Sequence, residues 1–375
     1  MAGETTKVQK SSSLPLEGRL VVVTGASRGI GKAIAGHLHS LGARVAINYA
    51  SNSTEADLLV SELNTSNTYA QPQAIAVRAD ISDPDQVKLL FDRTEQEFSS
   101  KIHILVHCAG VLDPKYPALA NTTVEDWDKT FNVNTKGAFL CSKEAANRLV
   151  RGGGGRIILI STSVVGGLFQ GYGAYAASKA AVETMAKIMA KELKGSGITV
   201  NCVAPGPVAT ELFYAGKTEE TVKRLEDASP LGRLGQPEDV SRIVGFLAGD
   251  DGEWINAGVL DPKYPSLANT SLEEFDHIFS IGIWCISSIR GSSGDDISKV
   301  AEGNWYNSKL CGTRANCNGH VLRWEDRRDG EEGDEECPNG WLGRAEDVAP
   351  VVGFLATDAN EWVNGQGIRV NGGYV

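Results

Sequence analysis

The sequence lacks any apolar run long enough to cross a membrane, which takes about 20 predominantly apolar residues. Residues 1–15 are polar and contain no hydrophobic core, so they do not resemble a secretory signal and we interpret them as a loose tail. None of the seven cysteines belongs to a Cys-x-x-Cys pair, which predicts free thiols, a reducing compartment and no metal site. These absences together predict a cytoplasmic protein.

Positive charge is also scarce. The chain holds 36 lysine and arginine residues against 47 aspartate and glutamate residues, a formal net charge of −11. This balance argues against nucleic acid or an anionic membrane as a partner. The charge is uneven, because residues 323–336 carry eight acidic and only three basic side chains.

A strand, a glycine-rich turn and a helix follow one another near the N-terminus. Leu20–Thr24 is a short apolar run rich in β-branched residues, which predicts a buried strand. Residues 25–31 read Gly-Ala-Ser-Arg-Gly-Ile-Gly, and residues 32–41 alternate apolar and polar positions at the helical period. In this context the glycines let the backbone approach a pyrophosphate, and the helix N-terminus offers free N–H groups. We therefore predict a dinucleotide site.

The end of the second predicted strand, Arg44–Tyr49, bears on which dinucleotide is bound. A carboxylate at this position would hold the ribose 2′-hydroxyl of NAD. The chain has Asn48, Tyr49 and Ser51 there and no acid, while Arg28 lies inside the glycine turn. The missing carboxylate and the nearby arginine favour a 2′-phosphate, and hence NADP(H).

Two further strands extend the predicted sheet. Ala74–Arg78 is followed by Asp80 and Ile81, a position suited to contact the adenine. Residues 104–106 run into His-Cys-Ala-Gly at 107–110. Consecutive strands with helical segments between them predict a parallel α/β sheet.

The pair Tyr175 and Lys179 in Tyr-Ala-Ala-Ser-Lys is the strongest chemical signal. Positions i and i+4 share one face of a helix, so the phenol and the ammonium can lie together. A nearby cation lowers the pKa of a tyrosine, which could then exchange a proton with a substrate oxygen. Alone, this spacing usually marks a solvated helix face. Here it accompanies the hydroxyl cluster at 161–163 and the glycine turn, and the combination of the three is specific.

With these motifs the chain resembles the short-chain dehydrogenase/reductase family, and within it the plant NADPH-dependent aldehyde reductase-like members. The resemblance covers residues 16–256 without interruption. It implies a doubly wound, Rossmann-like α/β fold with a parallel sheet, and reduction of an aldehyde or ketone with NADPH. The matching motifs are Thr-Gly-x-x-x-Gly-x-Gly at 24–31, the Asp80 position, Ala109-Gly110, Asn134, the hydroxyls at 161–163, Tyr175 with Lys179, and residues 205–210.

The resemblance also implies roles for single residues. Tyr175 would be the general acid, Lys179 would bind the nicotinamide ribose and lower the pKa of Tyr175, and Asn134 would hold a water in a proton relay. Val208 and Thr210 would hold the carboxamide end of the cofactor. The full predicted cofactor set is Gly25, Ser27, Arg28, Gly29, Ile30, Gly31, Asn48, Tyr49, Ser51, Asp80, Ile81, Ala109, Gly110, Tyr175, Lys179, Pro205, Gly206, Val208 and Thr210.

Two departures from the family pattern concern this site. The family usually has Asn-Asn-Ala-Gly where this chain has His107-Cys108-Ala-Gly, which affects the adenosine side. The second is the position of the catalytic hydroxyl. Counting from residue 155 or back from Tyr175 gives Thr162, whereas matching the following Val-Val-Gly gives Ser163. Both remain candidates, with Ser163 preferred.

From residue 257 the chain repeats itself. Residues 257–270 differ from 109–122 at one of 14 positions, and residues 342–364 match 234–256 at 14 of 23. The first repeated block is shifted by 148 positions along the chain and the second by 108, so the second copy lacks 40 residues between the blocks. The missing stretch is the one that should contain the serine, tyrosine and lysine. The chain therefore has one predicted active site.

The stretch between the repeated blocks, in contrast, does not resemble the first copy as it is written. Back-translated with suitable synonymous codons and read one base later, residues 291–311 can give a sequence close to 180–202. Residues 320–332 can likewise match 212–223. Our hypothesis is that residues from about 286 to 334 are a frame-shifted reading of a neighbouring paralogue. An evolved acidic linker is the alternative. Because such a segment was not selected for burial, we expect 286–336 to be disordered or poorly packed.

These observations define the predicted organisation. Residues 1–15 form the tail, 16–256 the NADP-binding reductase domain, 257–340 a partial repeat and disordered insertion, and 341–375 a helix and final strand that complete the domain. The first copy ends at Asn256, before its last strand, which residues 365–373 would supply. Either Pro237–Ala248 or residues 345–356 would be the helix beside it. Residues 213–226 are the predicted mobile substrate loop.

Other classes of function remain open at this point. The chain could be a catalytically inactive fusion or pseudoenzyme, or a structural nucleotide-binding subunit. The latter would have no reason to keep Tyr175 and Lys179. The predicted partner is a small carbonyl substrate. Family members commonly pair through C-terminal helices and the final strand, so a homo-oligomer is possible but is called into question by the insertion.

The frame-shift hypothesis can be tested by sequencing the transcript across codons 256–336. We expect either that no message spans these codons or that the message reads in the unshifted frame. A continuous transcript that encodes the sequence as given would show that the gene prediction is correct. The chain would then be a true fusion.

Overall fold

A computed structural model of the chain describes residues 14–65, 73–257, 259–260 and 345–357. Within these residues the strands form one parallel sheet flanked by helices. The strands are β1 (Leu20–Thr24), β2 (Arg44–Tyr49), β3 (Ala74–Arg78), β4 (Ile104–His107), β5 (Gly155–Ile160), β6 (Ile198–Val203) and β7 (Val259–Leu260).

The helices alternate with the strands along the chain. A π-helical turn, Asn132–Lys136, joins two of them. The α-helices are α1 (Gly29–Ser40), α2 (Ser53–Thr65), α3 (Pro84–Phe98), α4 (Val124–Phe131), α5 (Gly137–Arg148), α6 (Val164–Gly167), α7 (Gly173–Glu192), α8 (Glu211–Tyr214), α9 (Glu219–Asp227), α10 (Pro237–Ala248) and α11 (Ala345–Leu355).

The core lies on both faces of the sheet because successive strand residues point to opposite sides. In β1, Val21 and Val23 pack into one hydrophobic cluster with Ile34 of α1. Leu20 and Val22 pack into the other cluster, on the side of α3 and α5. A strand buried on both faces needs a continuous apolar run, which is what β1 has. The predicted doubly wound α/β fold is confirmed.

The strand order is β3-β2-β1-β4-β5-β6-β7. The chain therefore winds outward in one direction from β1 to β3, then crosses back to β4 and winds in the other. The connections after β1 and β4 leave the sheet on opposite sides, which opens a crevice at the carboxyl ends of these two strands. This crevice is where the fold places a ligand.

The predicted elements of the nucleotide half agree with the structure. The first three strands have the predicted bounds, β4 extends to His107, and α1 begins at Gly29 instead of residue 32. The predicted loop at 213–226 instead contains the end of α8 and most of α9. Both helices are capped, because Thr210 Oγ1 accepts from the N–H of Phe213 and Thr218 Oγ1 from that of Thr221.

The position beside β6 is filled by β7. Val259 pairs with Cys202 and Leu260 with Val203. In the first copy the same Gly-Val-Leu sequence, at 110–112, forms no strand. The predicted final strand, 365–373, lies outside the described residues, as do residues 1–13 of the predicted tail and all of 286–336, so these remain predictions.

Both candidate C-terminal helices form. α10 packs against α1, and α11 contacts the turn at Asp250–Gly252 that follows α10. Phe246 of α10 stacks on Phe354 of α11 with ring centroids 4.1 Å apart, and Val351 of α11 is buried in the same cluster. These two phenylalanines occupy equivalent positions of the repeat, so the second copy of the helix packs against the first.

A search of the described part of the chain finds no helix with the length and hydropathy needed to span a membrane.

Candidate active site

A cavity of about 1380 Å³ opens at the carboxyl ends of the strands. Drug-sized ligands typically occupy roughly 300–1,000 Å³, so this cleft has room for a dinucleotide together with a small substrate. Every predicted cofactor residue lines it, as do Thr162 and Ser163; Asn134 does not.

The glycine turn after β1 is fixed by steric contact. A Cβ on Gly25 would lie 2.7 Å from the Cα of Ala109, and Gly25 has a φ of +62°. A Cβ on Gly31 would lie 2.3 Å from the carbonyl oxygen of Gly25. Real Cβ atoms do not approach this closely, so only glycine lets α1 start against the end of β1. The first residues of α1 line the cleft, and the free N–H groups of a helix N-terminus suit a pyrophosphate.

Thr24 joins the ends of β1 and β4. Its hydroxyl accepts the backbone N–H groups of Cys108 (3.1 Å) and Ala109 (3.2 Å) and lies 3.1 Å from His107 Nδ1. Because the hydroxyl already accepts two bonds, it donates its proton to His107 Nδ1. Burial lowers the pKa of His107 to about 3, so the ring stays neutral. His107 and Cys108, the two residues that depart from the family pattern, thus fit this turn.

The adenosine side contains a structural asparagine. Asn48 is buried; its Oδ1 accepts the N–H of Gly25 at 3.4 Å, and its Nδ2 donates to the carbonyls of Val77 (3.3 Å) and Ala79 (3.0 Å). Its amide is therefore used to hold the glycine turn to β2 and β3. Asp80 accepts the N–H and hydroxyl of Ser82 at 2.9 and 2.8 Å.

Arg28 lies at the mouth of the cleft. Its Nη1 is 2.6 Å from Oε2 of Glu211, and the two side chains are 64% and 73% exposed. An ion pair this exposed contributes only about 0–1 kcal/mol. The guanidinium is therefore available to an anionic group that enters the cleft.

Tyr175 and Lys179 lie one turn apart on α7, facing the cleft. Burial raises the pKa of Tyr175 to about 12, opposed by a hydrogen bond from Thr162. Lys179 Nζ donates to the carbonyl of Ile160 at 2.7 Å, and burial lowers its pKa. The expectation that Lys179 lowers the pKa of Tyr175 is wrong for this structure, because desolvation of the phenol dominates and the ammonium is directed to a carbonyl.

The three hydroxyls at 161–163 have different partners. Ser161 Oγ donates to Glu183 at 2.6 Å, behind the cleft. Thr162 is the hydroxyl residue that interacts with the phenol of Tyr175 and lowers its pKa. Ser163 begins the turn into α6, where its backbone N–H donates to the carbonyl of Pro205 at 3.0 Å. The structure thus brings Thr162, and not the preferred Ser163, to the phenol.

Asn134 lies in the π-helical turn and is buried. Its Oδ1 accepts the N–H of Val111 at 2.8 Å, and its Nδ2 donates to the carbonyl of Val111 (2.9 Å) and to Ser178 Oγ (3.0 Å). A Cβ on Gly110 would lie 3.3 Å from Asn134 Oδ1 and 3.4 Å from Lys179 Nζ. The carboxamide therefore holds the segment after β4 against α7.

The segment after β6 closes the other side of the cleft. Val208 forms a parallel bridge with Gly235, and the hydroxyl of Thr210 caps α8. A Cβ on Gly29 would lie 3.4 Å from Thr210 Cγ2, so this segment approaches the glycine turn. Pro205 and Gly206, which precede this segment directly after β6, also line the cleft.

Three residues that form a cluster in the cleft were not among the predicted site residues, although Lys217 falls in the predicted substrate loop, 213–226. Tyr116, Tyr172 and Lys217 form a cluster in which the two tyrosine rings are 5.0 Å apart and the ammonium lies over both rings. Tyr172 could have been noticed as the residue three positions before Tyr175. The contact between Tyr116 and Lys217 carries no sequence signal, because the two residues are 101 positions apart and meet only in the folded chain.

The fold and this cleft are those of an oxidoreductase with a nucleotide cofactor, and the comparisons agree: the chain belongs to the short-chain dehydrogenase/reductase family. A family model described as enoyl-(acyl carrier protein) reductase matches residues 25–261. The resemblance inferred from the motifs is confirmed.

Individual relatives lie within this family. The chain is 60% identical over 252 residues to the NADPH-dependent aldehyde reductase-like protein, chloroplastic, of Arabidopsis thaliana, which covers 66% of this chain and 93% of the relative. It is 53% identical over 256 residues to NADPH-dependent aldehyde reductase 2, chloroplastic, of the same plant, covering 67% and 94%. Since both relatives are named as chloroplastic, the cytoplasmic location stays a prediction.

A solved structure is also similar. A short-chain dehydrogenase from Burkholderia cenocepacia J2315, in complex with NADP, is 35% identical and matches with a TM-score of 0.60, covering 65% of this chain and 96% of the other.

The glycine turn gives a direct test of cofactor binding. Gly31→Ala should weaken NADPH binding by tenfold or more (about 1.4 kcal/mol), because the new methyl group would force the turn apart. The matched control is Gly36→Ala in the same helix, where a Cβ would meet nothing within 4 Å. The control should keep its affinity and gain up to about 1 kcal/mol of stability from the better helix former.

NADPH affinity can be measured by fluorescence titration, and stability by denaturant unfolding. Wild-type affinity in Gly31→Ala would contradict the role of the close contact.

Proposed function

We propose that this protein reduces an aldehyde or ketone to an alcohol with NADPH, and that Tyr175 is the general acid. The observation that carries the proposal is the group formed by Tyr175, the Thr162 hydroxyl and Lys179 inside a cleft at the switch point of the sheet. Two curated relatives that are named as NADPH-dependent aldehyde reductases support the same reaction.

The cleft fits NADP(H) as cofactor. The end of β2 offers Asn48, Tyr49 and Ser51 and no carboxylate, which leaves room for a 2′-phosphate. Arg28 is exposed at the mouth, and guanidinium groups bind phosphates with two parallel hydrogen bonds. A phosphate would replace the weak pair with Glu211. When bound, NADPH would supply the hydride; the protein positions the reactants and handles the proton.

The protein's part in the reaction is proton delivery. With its pKa raised to about 12, the phenol of Tyr175 keeps its proton at neutral pH and can donate it to the oxygen that becomes an alkoxide. Thr162 would donate to the same oxygen and orient the carbonyl. Lys179 would bind the nicotinamide ribose, and Val208 and Thr210 the carboxamide. Asn134 acts by holding Val111, and its role in a water relay stays a prediction.

Removing the phenolic hydroxyl tests the assignment of the acid. Tyr175→Phe should lower kcat/KM for an aldehyde by at least about 100-fold, since general acid catalysis typically contributes 10²–10⁴-fold. NADPH affinity should change by less than about threefold, because the substitution removes at most one hydrogen bond to the bound cofactor. NADPH oxidation at 340 nm follows turnover.

The control for this variant is Tyr214→Phe, an exposed tyrosine outside the cleft. It should keep the wild-type rate. A Tyr175→Phe enzyme as active as the control would refute the mechanism.

The catalytic hydroxyl can be identified by a second pair of variants. Thr162→Val keeps the side-chain shape but removes the hydroxyl next to Tyr175, so kcat should fall by about 10–100-fold, the value of a hydrogen bond to a developing charge. Ser163→Ala should stay within about threefold of wild type, because no contact of its hydroxyl with the phenol supports a role. If the order of the two effects is reversed, Ser163 is the catalytic hydroxyl.

A further inference from the structure

The cleft contains a lysine that the proposed chemistry does not use. Lys217 lies in the turn between α8 and α9; its Nζ hydrogen-bonds the Tyr116 hydroxyl and donates to the carbonyl of Phe213 at 2.7 Å. The same ammonium lies 4.4 Å from the ring centroid of Tyr116, 4.7 Å from that of Phe213 and 5.8 Å from that of Tyr172. Lys217 is thus held among three aromatic rings.

The turn that carries Lys217 is pressed against the segment that carries Tyr116. Gly216 has a φ of +72°, and a Cβ on it would lie 1.8 Å from the carbonyl oxygen of Pro114. Tyr116 in turn donates from its hydroxyl to the carbonyl of Ala215 at 2.9 Å. The position of the ammonium is therefore built into the fold, since a larger residue at 216 would not fit.

The phenol, the carbonyl and the aromatic rings that surround the Lys217 ammonium are all neutral. Among the described residues, it forms no ion pair with a carboxylate. In the part of the chain that the structure describes, two acidic side chains line the cleft: Glu211 is paired with Arg28, and Asp80 is bonded to Ser82 after β3. A half-buried ammonium without a counter-charge is costly, and an anion that entered with the substrate would reduce this cost.

A second cation extends the same side of the cleft. Arg224 of α9 lines it too, whereas no carboxylate of α9 does. The substrate side is therefore positively charged in a chain whose net charge is −11. A charge opposite to that of the whole protein, concentrated in a cleft, favours entry of anions there.

Lys217 lies next to the reacting end of the cleft. Tyr172 precedes Tyr175 by three residues, its ring lies 5.0 Å from that of Tyr116, and all three tyrosines line the cleft. A substrate carbonyl at Tyr175 would thus extend past Tyr116 and Tyr172 toward Lys217. The flat rings along this path suit an apolar or aromatic body.

We propose that Lys217 is a specificity-determining residue that binds a carboxylate at the far end of the carbonyl substrate. The favoured substrates are aldehydes or ketones with an apolar body and a terminal carboxylate. This inference rests on the proposed reductase function and adds the substrate class to it.

The competing explanation is that Lys217 only fastens the α8–α9 turn to the Tyr116 segment. A fastening role would affect every substrate alike, whether charged or neutral. A recognition role would affect only substrates that carry the anion. Two substrates that differ in this one respect therefore separate the explanations.

The substrate pair is 4-formylbenzoate and its neutral methyl ester, each reduced by the full chain with NADPH. Lys217→Met should lower kcat/KM for the carboxylate about tenfold, roughly 1.4 kcal/mol, and leave that for the ester within about twofold. Lys217→Arg keeps the charge and should retain most of the preference. Lys223→Met, which removes a lysine of α9 that does not line the cleft, is the matched control and should behave as wild type.

A binding measurement gives a readout that does not depend on turnover. 4-(Hydroxymethyl)benzoate cannot be reduced, and its affinity for the NADPH-loaded protein can be measured by calorimetry. Lys217→Met should weaken this affinity about tenfold, while Lys223→Met should not change it.

The pH dependence provides a further check. Burial lowers the pKa of Lys217 to about 8, so the ammonium is charged below that pH and loses its charge above it. The facing phenols, Tyr116 and Tyr172, have raised pKa values and stay neutral. Arg224 of α9 is the other basic side chain that lines this side of the cleft. The ratio of carboxylate to ester reduction should therefore fall between pH 7 and 9 in the wild type and stay level in Lys217→Arg.

The outcomes separate this inference from the proposed function. If the wild type reduces the ester but Lys217→Met slows both substrates equally, or leaves the carboxylate preference intact, the specificity role is wrong and the reductase function stands. If the wild type reduces neither substrate, the proposed function fails. In that case, unchanged binding of 4-(hydroxymethyl)benzoate in Lys217→Met would overturn the anion site as well.

Discussion

The contact on which the site depends is the one between the ends of β1 and β4. The Thr24 hydroxyl accepts two backbone N–H groups from the turn after β4, and the missing side chain of Gly25 lets Ala109 come within van der Waals contact. Together they fix the edges of the crevice that the strand order opens. Asn134 then holds the next residues against α7, which carries the tyrosine and the lysine. Each hydrogen bond contributes only about 1 kcal/mol, but all of them act on the same few backbone atoms.

Burial decides the protonation states inside this crevice. Tyr175, His107 and Cys108 are all held in their neutral forms, the last with its pKa raised to about 12. In a region of low dielectric the cost of a charge exceeds the stabilisation that a neighbouring ion offers unless the two are in contact. Lys179 instead donates to a carbonyl, and Lys217 to a phenol and a carbonyl. The cleft therefore contains cations whose counter-charges would have to come from bound molecules.

The repeated segments show how far local sequence determines structure. The helical repeat forms a helix in both copies, because its apolar spacing and Glu-Asp start are the same in α10 and α11. Val-Leu, in contrast, forms a strand at 259–260 in the second copy and no strand at 111–112 in the first. The difference arises from the neighbour: β6 offers free backbone groups to Val259 and Leu260, whereas Asn134 takes those of Val111.

The sequence by itself determined the parts whose signal is local. The buried strands, the glycine turn and the Tyr175–Lys179 pair were predictable because periodicity, steric exclusion and the helical turn act over a few residues. Only the tertiary structure decided which hydroxyl meets the phenol, that Asn48 is used by backbone groups, and that Lys217 meets Tyr116 across 101 positions of the chain. Such contacts depend on sub-ångström placement of segments that are far apart in sequence, and no pattern within one segment encodes that distance.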